Sequence, residues 1–205
     1  MRGVVVFDYG SGNIHSVVRA FQACGAEVEL TNDRDRALAA DGLVLPGVGA
    51  FAACMAQLTA VGGVEVIRDR IGSGRPLLGV CVGHQVLFAT GVEHGIAADG
   101  VGVFPGSVRQ LPVARLPHMG WNEVTAEGSR FLPAPARFYF VHSYAALTAQ
   151  DLPAGATPWW TEHDGVRFIA AVEHGPVLAT QFHPEKSGRA GLALIRRWVD
   201  SLEAK

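Results

Sequence analysis

The chain has 205 residues, 49% of them hydrophobic and 18% charged, with a formal net charge of −2. A single domain of this length buries a full core and repays its ordering entropy, which excludes a disordered chain. With no basic run, no apolar stretch of about 18 residues and only three cysteines (Cys24, Cys54 and Cys81), the composition argues against nucleic-acid binding, a spanning helix and a disulfide framework, and suits a reducing cytoplasm.

Residues 3–8 predict a first strand rather than a secretory leader, because Asp8 closes a short apolar run. Residues 13–24 predict a helix with Ile14, Val17, Val18 and Phe21 on one face. Strands follow at 26–30 and 42–46, then a helix from Phe51, a strand at 76–80 and a helix over 83–88. Apolar strands alternating with helices imply a parallel sheet covered on both faces. In the second half, 138–141, 167–173 and 177–182 read as strands, and 121–125 as a weaker one. His174-Gly175-Pro176 joins the last two main strands into a hairpin. A final helix at 188–202 carries Leu192, Ile195, Val199 and Leu202 on one face. The predicted fold is one α/β domain over 1–205. Its mostly parallel central sheet is flanked by helices and has an antiparallel extension. Val-Glu-His-Gly occurs at 92–95, expected to follow a helix, and at 172–175 in the hairpin, a recurrence that reads as coincidence.

The sharpest pattern is Leu77-Leu78-Gly79-Val80-Cys81-Val82-Gly83-His84-Gln85, an apolar strand running through Cys81 into a helix. Glycine two residues to either side makes a nucleophile elbow with cysteine in place of serine. Such a turn strains the nucleophile's backbone and brings its flanks into close contact. Lowering a thiol pKa by about two units needs roughly 2.7 kcal/mol, which a helix N-terminus and a neighbouring imidazolium supply. Cys24 and Cys54 read as small buried hydrophobes.

A cysteine nucleophile needs a base near it in space. The best candidate lies in Gln181-Phe182-His183-Pro184-Glu185, where His183 ends a strand at the edge where α/β sheets place their sites. Pro184 restrains His183, and Glu185 is close enough to accept from its other ring nitrogen and hold the tautomer. His15, His84, His94, His118, His163 and His174 have no acid at that spacing and read as surface or structural. No metal-ligand spacing occurs, so neither metal nor cofactor is expected. The turn Pro46-Gly47-Val48-Gly49 fails the phosphate-loop patterns. It reads better as part of an oxyanion hole, with an N–H of Val48 or Gly49 joining that of Val82, each donor worth roughly 2.7–4 kcal/mol in the transition state.

Pro46-Gly47-Val48-Gly49, Gly79-Val80-Cys81-Val82-Gly83-His84-Gln85 and Phe182-His183-Pro184-Glu185 together resemble the class I (triad) glutamine amidotransferases in order and spacing. Four further segments look like the glutaminase subunits of imidazole glycerol phosphate synthase. They are Asp8-Tyr9-Gly10-Ser11-Gly12-Asn13, Pro117-His118-Met119-Gly120-Trp121-Asn122, Tyr139-Phe140-Val141-His142-Ser143-Tyr144 and Lys186-Ser187. The resemblance implies hydrolysis of glutamine through a Cys81 thioester. It implies delivery of the ammonia to a (β/α)8 cyclase subunit in histidine biosynthesis. By position it makes His183 the acid and base, and Glu185 its orienter. It gives Gln85 and Glu93 the substrate's amino-acid end, and His142, Ser143 and Tyr144 further substrate contacts. Asn13, Trp121, Asn122 and Lys186 fall on its partner interface. His84 departs from the family, which usually has Met there.

Three other functions are compatible with parts of this pattern. One is a glutaminase serving an anthranilate or purine synthase, which the Pro-His-Met-Gly-Trp-Asn segment argues against. Another is a catalytically dead binding subunit, which the intact Cys81, His183 and Glu185 argue against. The third is a γ-glutamyl cysteine hydrolase that works without a partner.

Overall fold

Val4, Val5, Val6 and Phe7 form a run suited to a strand packed on both faces, and all four are buried in β1 (Arg2–Phe7). The structure is a computed structural model that describes residues 2–12, 14–150 and 152–202. After β1 come α1 (Ile14–Ala23), β2 (Ala26–Thr31), α2 (Arg34–Ala39) and β3 (Gly42–Leu45). Then follow α3 (Phe51–Ala60), α4 (Gly63–Gly72) and β4 (Leu77–Val80). β2, β1, β3 and β4 lie side by side in parallel, and every residue of β3 and β4 is buried. The short α2 carries almost no apolar periodicity. Its local signal is Asp33, whose side chain accepts from Arg36 N at 2.8 Å as an N-cap.

Past β4 the chain departs from expectation. The helix predicted over 83–88 is a single turn, α5 (Val82–Gln85), and Phe88 already begins β5 (Phe88–Glu93). The apolar run Val86-Leu87-Phe88 suits either state, and pairing decides it: β5 joins β6 (Ile96–Asp99) antiparallel and β7 (Phe104–Gln110) parallel. The first Val-Glu-His-Gly therefore closes a hairpin rather than following a helix, with His94 at φ 49° and Gly95 at φ 77°.

The remaining elements are β8 (His118–Val124), β9 (Ala136–His142), β10 (Tyr144–Ala146), β11 (Thr157–His163), β12 (Val166–His174) and β13 (Val177–Thr180). A 3-10 turn (Pro184–Lys186) and α6 (Gly188–Asp200) follow. The antiparallel extension is present as β11-β12-β13, with β13 parallel to β4, giving a seven-stranded sheet. β10 completes the four-stranded sheet β10-β7-β5-β6, which the sequence pattern did not reveal. The strands expected at 121–125 and 138–141 lie outside the central sheet. β8 and β9 pair with each other, and the bridge Thr125–Trp160 with side-chain hydrogen bonds from Asn122 and Thr161 joins them to β11. This ribbon lies across the end of β13, because His183 N donates to Tyr139 O at 2.9 Å.

α6 buries Leu194, Ile195, Trp198 and Val199, while Leu192, expected on that face, is 38% exposed. Trp198 meets Phe21 edge-on and packs over Gly42, where a Cβ would come within 2.5 Å of its ring. Among the described residues no single helix is long and apolar enough to cross a membrane.

Candidate active site

Cys81 leaves β4 at φ 56°, ψ −111°, the strained geometry expected of an elbow. A Cβ at Gly79 would sit 2.8 Å from the Gly83 carbonyl, and one at Gly83 would overlap the Leu45 carbonyl. A Cβ on Gly47 would in turn overlap the Gly83 amide. Only glycine at these positions lets the elbow and the 46–49 loop touch. Cys81 itself is 4% exposed and donates its backbone N–H to Thr180 O at 2.8 Å.

His183 follows β13, the strand beside β4, so sheet order alone brings it near Cys81. Its Nδ1 lies 2.8 Å from Glu185 Oε1, with both side chains nearly excluded from solvent. A carboxylate only accepts, so Nδ1 carries the hydrogen and Nε2 is left for the cysteine side. Burial opposes charging His183, but hydrogen bonding to Cys81 and Glu185 outweighs it and raises the pKa to about 9. Ser187 donates to His183 O at 2.6 Å and accepts from Tyr139 N at 2.9 Å, tying the loop to β9. The Glu185 atom Oε2 is buried with no partner among the described residues.

The expected oxyanion donors do not converge in this conformation. Val82 N donates to Gly47 O at 3.2 Å, and Val48 N donates to Ser11 Oγ at 2.8 Å. Tyr9 OH donates to Pro46 O at 2.6 Å, and Cys54 Sγ lies 3.3 Å from Val48 O. Three protic side chains thus partner the peptide groups of this 46–48 strap, and Ser11 takes the Val48 N–H. Cys54, read as an inert hydrophobe, is thus part of the strap's support, and Tyr9 and Ser11 carried no such signal in sequence. Burial pushes the Tyr9 phenol well above its ordinary pKa.

Cys81 opens onto a cavity of about 240 Å³ also lined by Val48, Gly49, Gln85, Glu93, His142, Ser143, Tyr144, His183 and Lys186. The predicted substrate residues therefore share one space. Gln85 Nε2 donates to Tyr144 O at 2.9 Å and to Gln181 Oε1 at 3.0 Å. Glu93 Oε2 accepts from Phe51 N at 3.0 Å, capping the start of α3. Gln181, buried with Nε2 4.0 Å from Cys81 Sγ, had no assigned role in the sequence pattern. His84 is fully buried beside this wall, edge-on to Phe88, with neither ring nitrogen partnered among the described residues. Burial lowers its pKa to about 3, so it adds packing and no charge.

The predicted docking residues divide. Trp121 is 44% exposed and shares its strand face with Met119, 62% exposed. Asn122 points the other way and donates to Glu162 O. Lys186 lines the cavity, and the Trp121 ring approaches Gly188 two residues on. Asn13 lies outside the described residues.

A family profile described as glutamine amidotransferase class-I matches residues 5–201. Imidazole glycerol phosphate synthase subunit HisH of Nocardia farcinica is 56% identical over 209 residues, covering 98% of this chain and 99% of that protein. The subunit of the same name from Corynebacterium diphtheriae is 52% identical, covering 98% and 100%. A solved glutamine amidotransferase superposes with TM-score 0.73 at 20% identity, covering 96% of this chain and 97% of that one. PurLQS from Thermotoga maritima superposes at 0.72 with 18% identity, covering 99% and 100%. At those identities the two structures speak to the fold.

Proposed function

We propose, for a chain that belongs to the class I glutamine amidotransferase family, the role its HisH relatives carry: the glutaminase subunit of imidazole glycerol phosphate synthase. It hydrolyses glutamine to glutamate and ammonia and supplies the ammonia to a cyclase subunit in histidine biosynthesis. One observation carries the reading most: buried Cys81 and the His183–Glu185 pair, 2.8 Å apart, at the ends of adjacent strands in such a chain.

In this reading the Cys81 sulfur attacks the side-chain amide carbon of glutamine. His183, protonated below about pH 9, gives its Nε2 proton to the departing ammonia as the C–N bond breaks. Water then attacks the thioester, His183 takes the water proton, and glutamate leaves with the sulfur free again. Glu185 holds the ring and its tautomer throughout. Oxyanion support from Val48 or Gly49 with Val82 requires the strap to rearrange first, since Gly47 O occupies the Val82 N–H. Both amide hydrogens of Gln85 are engaged by protein acceptors, which leaves Oε1 to receive a substrate N–H. Glu93 supplies a counter-charge for the substrate ammonium. His142, Ser143 and Tyr144 line the same cavity.

Residues 1–205 act as one domain in this reading, and Trp121, Asn122, Lys186 and Asn13 contribute to the cyclase contact. The three cysteines are free and buried, which fits a cytoplasmic location. The test is ammonia release from glutamine by the full chain, alone and with the cyclase subunit of its own organism. Release that depends on Cys81 and rises with the partner supports the proposal. No co-elution with the cyclase at micromolar concentrations overturns the partner assignment.

A further inference from the structure

No acid stands at triad spacing from His118, yet the structure buries it to 2% exposure. His118 Nδ1 lies 3.0 Å from His142 Nε2, and His142 Nδ1 lies 2.9 Å from the Tyr144 carbonyl oxygen. A carbonyl only accepts, so His142 Nδ1 carries a hydrogen. A neutral imidazole has one N–H, so His142 Nε2 is a bare acceptor and His118 Nδ1 donates to it. Burial keeps both rings neutral, lowering the pKa of His118 and taking that of His142 to about 3. The His142 tautomer is thus held from two sides, by the Tyr144 carbonyl at Nδ1 and the His118 donor at Nε2.

That carbonyl is shared with the catalytic cavity. Gln85 Nε2 also donates to it, at 2.9 Å, and to Gln181 Oε1 at 3.0 Å, while Gln181 Nε2 lies 4.0 Å from Cys81 Sγ. A single line of donors and acceptors runs from β8 across β9 to the nucleophile. At its far end His118 Nε2 is buried beside the Asn122 side chain without a well-formed hydrogen bond, under the ring of His163 at 4.1 Å. An apolar ring of the same shape, packed against Phe140 and Phe168 as His118 is, would avoid that bare nitrogen. Nδ1 is the nitrogen through which the ring joins this line.

We propose that His118 is a positioning residue for the glutamine reaction: by donating from Nδ1 to His142 it locks the tautomer that holds the Tyr144 carbonyl, and with it Gln85, in the wall beside Cys81. This rests on the glutaminase reading above. The wall contacts substrate in ground and transition states alike, so its loosening appears in KM rather than kcat.

The experiment compares the full chain, together with the cyclase, in two variants. His118→Phe keeps the bulk and removes the donor; His118→Asn keeps an N–H near the Nδ1 position. His118→Phe is expected to raise KM for glutamine about tenfold at near-normal kcat, and His118→Asn to return it to within about threefold of the parent. Urea unfolding of His118→Phe is expected to be no easier than that of the parent. Nitrogen-15 NMR of the histidine rings is expected to show His142 as the Nδ1–H tautomer in the parent chain and a mixture in His118→Phe. An unchanged KM in His118→Phe, equal KM values in the two variants, or an Nε2–H His142 in the parent chain overturns the proposal. The ring spectrum needs no turnover and no folded variant. An Nδ1–H His142 in a chain that releases no ammonia would therefore sink the glutaminase reading while leaving the hydrogen-bond chain intact.

Discussion

The same four residues, Val-Glu-His-Gly, close two hairpins that serve opposite ends of the sheet. At the β5–β6 turn, Glu93 lines the catalytic cavity and gives one oxygen to the Phe51 N–H. At the β12–β13 turn, Glu173 is 4% exposed and surrounded by protein donors: Trp159 Nε1 at 2.9 Å, Ser129 Oγ, and Arg130 through N at 3.2 Å and Nε at 3.3 Å. One carboxylate is left facing a ligand space and the other is consumed by the fold. The turn itself shifts by one residue between them, at His94-Gly95 in one and Gly175-Pro176 in the other, and the neighbours set the use of the charge. The comparison separates an edge built for chemistry from an edge built for stability, and substitutions at each should move different observables.

The largest effect is expected at the chemical edge. Cys81→Ala should lower ammonia release at least about a thousandfold, because no thioester forms, with the urea midpoint little changed. Residual turnover near the parent rate would remove Cys81 from that edge. Glu173→Ala should do the converse. Stranding the buried Trp159 donor and freeing the half-buried Ser129 and exposed Arg130 should cost about 2 kcal/mol in urea unfolding while kcat of the folded protein holds. A fall in kcat without a fall in stability would break the contrast.

The two edges are linked through pH by His183. Its folded pKa is raised to about 9 against 6.5 unfolded, so its contribution is fully present below about pH 6.5 and disappears as pH rises through about 9. The loss should be on the order of 3 kcal/mol, and Glu185→Gln should flatten the slope between those limits. A slope unchanged in that variant would detach Glu185 from the titration. The smallest effect is at Glu93. Glu93→Ala should raise KM for glutamine about tenfold and cost about 1 kcal/mol through the lost cap on α3, less than Glu173→Ala.

Much of this architecture was legible in the residues. Runs such as Val4-Val5-Val6 and Leu43-Val44-Leu45 could only be buried strands, and the spacing of Gly79, Cys81 and Gly83 announced the elbow. The pairing of His183 with Glu185 was readable because both sit on one short, proline-restrained loop. Less visible were contacts made across the fold. The helix expected through Phe88 stopped at Gln85, with a turn at 86–87, and Phe88 began a strand because β7 offered a pairing partner. Of the residues expected on the buried face of α6, Ile195, Val199 and Leu202 are buried and Leu192 is not, while Trp198, which carried no such expectation, packs over Gly42. Tyr9, Ser11 and Cys54 gave no local sign that they would hold the 46–48 strap.

What the sequence by itself determined is the inventory: a strained cysteine between glycines, a histidine with its acid two residues on, a glycine-lined strap, and an alternating α/β frame. These follow from backbone sterics and short-range spacing, which one stretch of chain contains. Tertiary structure decided how the inventory is wired. It set adjacent strands to bring Cys81 and His183 together, aimed the Gly47 carbonyl at the Val82 N–H, and ran a histidine line from His118 to the cavity wall. Each of those depends on the direction of a donor or acceptor between segments far apart in sequence, and a hydrogen bond's direction is settled only when both partners are in place.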